Sequence, residues 1–288
     1  MTLDFELKHI NPPQEAILLF HGMTGSPFEL KKYGQYLYSL GYDVFAYCLP
    51  GHGDLFYQIK EITCNDWLNS AFFQFEKLNT KYSKVFVGGL CLGAVLCLAI
   101  AIKYQKEVAG IICLSTTLFL DGWRLPWYRF LLPLGLNTII RYYYSYPECE
   151  PYGIKNIKTR KIIQKLLDKS DIATDNFPMN CIYELLALSA FVQKNLYKIN
   201  TPILIVHSEE DDLTSTKSAY KVYDEVHSLY KKIIILQDSY HMVLYDNEKD
   251  FVYKTTSSFI KFISEANRAL KIGFTTNISE AIEYENNF

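Results

Sequence analysis

The sequence predicts an α/β domain: a mostly parallel central sheet flanked by helices, with a helical segment inserted near its middle. Three observations predict it. Short apolar runs alternate with longer stretches that carry apolar residues at three- and four-residue spacing. Most of the short runs are apolar throughout, as strands buried on both faces are. The alternation stops between about Thr117 and Asn200 and then resumes.

In chain order, the predicted strands are Ala16 to Phe20, Val44 to Tyr47, Lys84 to Gly88, Val108 to Leu114, Ile203 to His207 and Lys232 to Leu236. Helical periodicity covers Phe28 to Leu40, Asp66 to Leu78, Leu92 to Gln105, Ser215 to Leu229 and Asn247 to Ile263. The interruption at about 117–200 reads as a cap laid over the sheet. Within it, LPWYRFLLPLGLNTIIRYYYSYP (Leu125 to Pro147) is rich in tyrosine and apolar residues. Packing between cap and core explains such a stripe. That is the more frequent origin of an aromatic stripe; the functional alternatives are an apolar tunnel for an acyl chain or transient contact with a membrane surface through Leu125 to Leu136. The stretch from about Asn267 to Phe288 is expected to be a peripheral tail. With 288 residues, 49% of them hydrophobic, the chain can bury one large core, so residues 1–288 are expected to form a single domain carrying the insertion.

Composition narrows the function. A formal net charge of -2 supplies no basic field for a phosphate backbone, so nucleic acid is not an expected partner. The stretch MTLDFELKHINPPQ lacks a basic region followed by an apolar run, and no apolar run reaches the roughly 18 residues that would suggest a membrane span. A cytoplasmic protein is expected. The seven cysteines, Cys48, Cys64, Cys91, Cys97, Cys113, Cys149 and Cys181, are odd in number and form no CxxC pair, so neither a disulfide framework nor a zinc site is expected. No cofactor or metal motif is present. Cys97 and Cys113 read as small core residues.

Cys91 differs. Gly89-Leu90-Cys91-Leu92-Gly93 follows the strand KVFVG directly and precedes the helix LGAVLCLAIAI. A strand-to-helix turn this tight strains its central residue and needs small neighbours. It aims the Cys91 side chain out of the carboxyl end of the sheet, beside a helix N-terminus that favours a thiolate. A thiol nucleophile needs a base. Of the six histidines, His241 follows the strand KKIIIL in the loop QDSYH, where side chains from several strands converge. His9, His207 and His227 read as structural, and His21 and His52 as braces for their loops. The run Glu209, Glu210, Asp211, Asp212 follows another strand; Asp211 is the expected partner of His241, Asp212 a neighbour easily confused with it, and the two glutamates solvated surface. The loop FHGMTGSP after the first strand turns the amide of Met23 toward the reacting carbonyl oxygen, with the amide of Leu92 as second donor.

Taken together, HGMTGSPFEL, GYDVFAYCLPGHG, DWL, GLCLGA, EEDDLTSTKSA and SYHMVLYD resemble, in order, the motifs of the α/β-hydrolase superfamily, and within it the bacterial carboxylesterases and monoacylglycerol lipases. The resemblance spans roughly residues 15–115 and 200–265. It implies the α/β-hydrolase fold, a triad of Cys91, Asp211 and His241, an oxyanion hole from Met23 and Leu92, and a substrate cap between about 117 and 200. One position departs from it: those esterases carry serine where Cys91 stands. Cysteine in the elbow resembles dienelactone hydrolases and polyhydroxyalkanoate synthases, which the rest of the chain fits less well.

Cysteine changes the expected chemistry. Thiolate attack on an ordinary oxyester gives a tetrahedral intermediate whose better leaving group is the thiolate itself, so collapse runs backwards unless the alcohol is protonated first. Thioesters and activated esters escape this. An acyl-cysteine is also a thioester, readily captured by a second nucleophile. The expectation is a hydrolase of small acyl esters or thioesters with an apolar acyl group. The alternatives are an acyltransferase or thioesterase working through acyl-cysteine, and an inactive hydrolase-fold binding protein.

Overall fold

The computed structural model describes residues 3–147, 150–167 and 176–272. Cys149, positions 273–288 of the expected tail, and the side chains at 128 and 131–133 of the aromatic stretch lie outside the described residues. In chain order the elements are β1 (Phe5–Leu7), β2 (Glu15–Phe20), α1 (Lys31–Ser39), β3 (Asp43–Ala46), α2 (Cys64–Asn79), β4 (Lys84–Leu90), α3 (Leu92–Tyr104) and β5 (Val108–Leu114). Then come α4 (Leu132–Leu136), β6 (Ser145–Pro147), α5 (Ile157–Leu167), β7 (Asn176–Pro178) and α6 (Met179–Gln193). The chain resumes its alternation with β8 (Ile203–Ser208), α7 (Lys217–Glu225), β9 (Lys231–Leu236) and α8 (Lys249–Ile272).

Seven strands form the main sheet in the order β1-β3-β2-β4-β5-β8-β9. Every pairing is parallel except β1 with β3, where Phe5 lies opposite Ala46 in antiparallel register. That edge strand carries too few residues to show a period, and the sequence reading missed it. The inner strands are apolar because helices cover both faces. One face packs α2, α3, α6 and α7, with Trp67, Phe75, Leu188 and Val222 in its core. The other packs α1 and α8 through Tyr33, Leu37, Phe259 and Ile260. Helix α3 is apolar on every side, and 11 of its 13 residues are buried. A helix without a polar face belongs at the centre of a layer.

The helix boundaries follow local chemistry. A reciprocal capping box between Thr63 and Asp66 starts α2 and sets Trp67 against Pro50, whose carbonyl accepts from the indole at 3.1 Å. Periodicity suggested a helix from Ser215 to Leu229, yet α7 is shorter. Ser215 spends its amide and hydroxyl on Asp121, both at 2.8 Å, and the chain turns extended at Val226. In contrast α8 runs on to Ile272, so the first residues of the expected tail are helical.

The stretch between β5 and β8 divides in two. Its later part, α6, buries Cys181, Leu185, Leu188 and Val192 and packs against α3 as a core helix. Its earlier part holds α4, α5 and the small antiparallel pair of β6 and β7, and leaves Trp127, Leu134, Ile139 and Tyr143 exposed. This part is tied down by one buried carboxylate. Asp246 accepts from the amides of Lys155 (2.6 Å), Asn156 (2.8 Å), Tyr240 (2.8 Å) and Asn247 (2.9 Å), joining the insertion to the loop that carries His241. Among the described residues no helix is long and apolar enough to cross a membrane.

Candidate active site

The carboxyl ends of β4, β5, β8 and the loop after β9 meet beneath the insertion. Cys91 stands between β4 and α3 with φ 56° and ψ -115°, in the left-handed half of the map where a side chain is strained. Its neighbours permit that turn. A Cβ on Gly89 would lie 2.2 Å from the Gly93 carbonyl carbon, and one on Gly93 would lie 2.1 Å from the Phe20 carbonyl oxygen. The glycines are therefore required by close backbone approach, and they hold Cys91 proud of the sheet.

Asp211 and His241 come together as a hydrogen-bonded pair, His241 Nδ1 to Asp211 Oδ2 at 2.8 Å. The other carboxylate oxygen accepts from the amides of Leu213 (2.9 Å) and Thr214 (3.0 Å), which fixes its rotamer. His241 Nε2 is buried and makes no hydrogen bond to a nitrogen or oxygen. Cys91 is the group it acts on electrostatically. Burial pushes the Cys91 thiol up, but the adjacent His241, the Thr117 hydroxyl and the Leu92 amide outweigh it and leave the thiol below its ordinary value. Burial pushes the His241 imidazole down, and Asp211 with Cys91 lifts it well above its ordinary value. Asp211 itself, despite burial, is held low by His241 and His207. Both shifts run in the direction that favours an ion pair between sulfur and imidazole.

Asp212, the neighbour, has a different role. It pairs with Arg124 at 3.5 Å, lines the cavity above Cys91, and makes no hydrogen bond to His241. Glu209 and Glu210 are exposed, and Glu210 pairs with Lys155 of the insertion. His21 bridges two loops, accepting from the Leu49 amide at 3.0 Å and meeting the Gly22 carbonyl at 2.8 Å. His207 holds the acid loop through the Thr214 carbonyl at 3.0 Å.

The Met23 loop packs directly on Cys91, where a Cβ on Gly22 would lie 3.5 Å from Cys91 Cβ. Met23 lines the cavity with Cys91 and His241, and the Leu92 amide is directed at the Cys91 sulfur. The cavity, about 1450 Å³, is roofed by Ile140, Tyr146, Phe177 and Ile182 of the insertion. Among the described residues no cluster of His, Cys, Asp or Glu is arranged to hold a metal ion.

Two residues were missed. Thr117 Oγ1 lies 3.2 Å from Cys91 Sγ and 3.2 Å from the Ser115 carbonyl, so its single proton can serve either acceptor. Ser115, at φ 46°, donates its hydroxyl to the His241 carbonyl at 2.7 Å. The turn after β5 thus braces both the sulfur and the histidine loop. The available signal was the polar run Ser115-Thr116-Thr117 at the carboxyl end of an apolar strand next to the elbow strand.

A central parallel sheet with a strained elbow residue, a histidine and a carboxylate at its carboxyl end defines an α/β-hydrolase. The comparisons narrow this. A model of the family described as Serine aminopeptidase, S33 matches residues 11–250, and the chain belongs to that family. It is 25% identical over 248 residues to a carboxylesterase of Bacillus subtilis (strain 168), covering 86% of this chain and 92% of that one. It is 24% identical over 252 residues to a thermostable monoacylglycerol lipase of Bacillus sp. (strain H-257), covering 85% and 89%. A soluble variant of monoglyceride lipase from Saccharomyces cerevisiae shares the fold with a TM-score of 0.78 and 16% identity, over 90% of this chain and 91% of that one. The chain is a hydrolase of the carboxylesterase and lipase type, acting on ester bonds.

Proposed function

We propose that this chain hydrolyses acyl esters or thioesters with an apolar acyl group through a Cys91-His241-Asp211 triad. The observation that carries the reading is the 2.8 Å bond from Asp211 to His241 Nδ1, which leaves Nε2 free of other partners beside Cys91. The Cys91 thiolate attacks the acyl carbonyl carbon, and the amides of Met23 and Leu92 receive the developing oxyanion. His241 gives its Nε2 proton to the departing thiol or alcohol as the carbon to leaving-group bond breaks. Water then gives a proton to Nε2 and attacks the acyl-cysteine, releasing the acid and the Cys91 thiolate, while His241 returns to its imidazolium form. Thioesters are the favoured substrates, because their leaving group departs as readily as Cys91 does.

In this reading residues 1–288 make one domain, and the stretch at about 117–200 supplies the substrate cap. Its exposed Trp127 and Phe130 are suited to transient contact with a lipid surface. The free cysteines among the described residues are consistent with the cytoplasm. Intact-protein mass spectrometry after incubation with a decanoyl thioester, and separately with p-nitrophenyl decanoate, tests the function. The expected result is a transient acyl adduct on Cys91 that water discharges. An adduct that persists until an amine or alcohol is added assigns an acyltransferase instead. No adduct and no turnover, with Cys91→Ser also silent, overturns catalysis and leaves a binding protein.

A further inference from the structure

The charge around the cavity is unlike that of the whole chain. Overall, 31 acidic residues outnumber 29 basic ones, yet the cavity is lined by five cationic side chains, Lys31, Lys32, Arg124, Arg129 and Lys249, against two carboxylates, Glu29 and Asp212. Both carboxylates are engaged. Asp212 faces Arg124 at 3.5 Å, and Glu29 accepts from the Gly22 amide. Lys31, Lys32 and Lys249 are exposed and make no ion pair among the described residues. Elsewhere lysines at structural junctions are neutralised: Lys84 by Glu15, Lys155 by Glu210 and Asp238, Lys221 by Glu225.

Topology brings the three lysines together. Lys31 and Lys32 open α1 and Lys249 opens α8, two helices that pack side by side on one face of the sheet. Both helices start at the carboxyl end of the sheet, so their positive ends point to the same edge of the cavity and add to the field of the ammonium groups. The insertion contributes the apolar side chains of Ile140, Phe177 and Ile182 and the ring of Tyr146, beside Arg124 and Arg129. Cys91 and His241 lie in the same cavity. Apolar side chains, a reacting centre and a cationic edge are the negative image of an amphiphile with an anionic head.

We propose that the edge formed by Lys31, Lys32 and Lys249 is a phosphate-binding subsite, and that the substrate is an acyl chain joined to a phosphate-bearing leaving group. This rests on the hydrolase reading above and specifies its substrate. A phosphate can arrive on a lipid glycerol or on a phosphorylated thiol carrier. The leaving-group argument for Cys91 selects the thiol carrier.

The test separates the subsite from the catalysis. Binding is measured by calorimetry on Cys91→Ala protein, comparing 1-O-decylglycerol 3-phosphate with 1-O-decylglycerol, both non-hydrolysable and both below their micellar concentration. The phosphate is expected to tighten binding about tenfold, as several partly exposed ion pairs together can. That preference is expected to fall toward unity at high salt and in Lys31→Gln/Lys32→Gln/Lys249→Gln. A control with the same charge change, Lys103→Gln/Lys221→Gln/Lys261→Gln, is expected to keep it. Equal affinity for the two ligands, or a preference that both triple variants lose alike, overturns the subsite. A preference seen only when the ligand is embedded in anionic vesicles also overturns it, in favour of a membrane-facing surface.

Turnover on wild-type protein then identifies the source. Decanoyl-coenzyme A is compared with decanoyl-N-acetylcysteamine, and 1-decanoylglycerol 3-phosphate with 1-decanoylglycerol. A higher kcat/KM for the phosphorylated member of the thioester pair is expected. A preference confined to the oxyester pair overturns the thiol carrier and leaves the phosphate subsite standing. Phosphate-selective binding without any turnover refutes the hydrolase reading alone, and turnover without selectivity refutes the subsite alone.

Discussion

The floor and the roof of the cavity are built on opposite principles. On the floor, each member of the proposed triad has close structural support: Cys91 from the Gly89 and Gly93 approaches, Asp211 from two amides, His241 from the Asp211 carboxylate and the Ser115 hydroxyl. On the roof, large apolar side chains face water, Trp127 at 82% and Tyr143 at 82% exposure, Ile139 at 74% and Leu134 at 70%. In the proposed reading, reaction geometry belongs to the floor and the fit of the acyl group to the roof, while the lysine edge on α1 and α8 selects the head group. Substitutions of the triad should alter rate constants, while those on the roof should alter which acyl groups are taken.

The sharpest break in that contrast is Cys91→Ala, expected to lower kcat/KM by at least about 10³-fold in a thioester assay while leaving the fold intact. Next is Asp211→Asn. It keeps the shape but loses the carboxylate that orients and charges His241, and kcat should drop by about 10³- to 10⁴-fold in the same assay. Acid should also destabilise the fold as a whole. Burial pushes His52 down to about 4 and His21, with His52 beside it, well below its ordinary value. For a histidine whose folded value lies below its unfolded one, stability is present above the unfolded value and lost as pH falls toward the folded one. Denaturant melts should therefore show stability decreasing from about pH 6.5 to pH 4, with His52 alone contributing on the order of 3 kcal/mol.

A smaller effect is expected of Thr117→Val, which removes the hydroxyl that meets the sulfur at 3.2 Å. Iodoacetamide alkylation of Cys91 should titrate at higher pH and run about tenfold slower at neutrality, and Thr117→Ser should restore both. A purely structural threonine would leave the titration unmoved. The smallest effect belongs to the roof. Trp127→Ala should change unfolding free energy by no more than about 0.5 kcal/mol, since the side chain buries little. Its effect should instead appear as weaker co-sedimentation with lipid vesicles.

The floor was more legible in the sequence than the roof, for a physical reason. Runs such as KVFVGG and VAGIICL declare strands because burial on both faces demands apolar residues, and the turn between β4 and α3 declares itself because close backbone approach demands glycine. Asp211 was separable from Asp212 only weakly, since adjacent positions in a loop carry no period; the side-chain directions separate them. Thr117 gave no motif at all, because its contact with Cys91 spans 26 positions across two strands. Strand β1 was too short to show alternation. In the insertion, aromatic composition could not tell α6, which joins the core, from the exposed stretch before it.

The carboxylate of Asp246 sets where this chain can be rewired. Its acceptor bonds to Lys155 and Asn156 on one side and Tyr240 and Asn247 on the other form a latch at which the roof meets the histidine loop. Every bond is to a backbone amide, so the latch does not depend on which side chains occupy those four positions. A roof of different shape could be grafted from another protein with one splice point after the β5 turn and another ahead of α6, provided the graft returns two successive amides to Asp246. In the proposed reading the fold thereby separates an interchangeable module that shapes the acyl site from a fixed chassis that carries the triad.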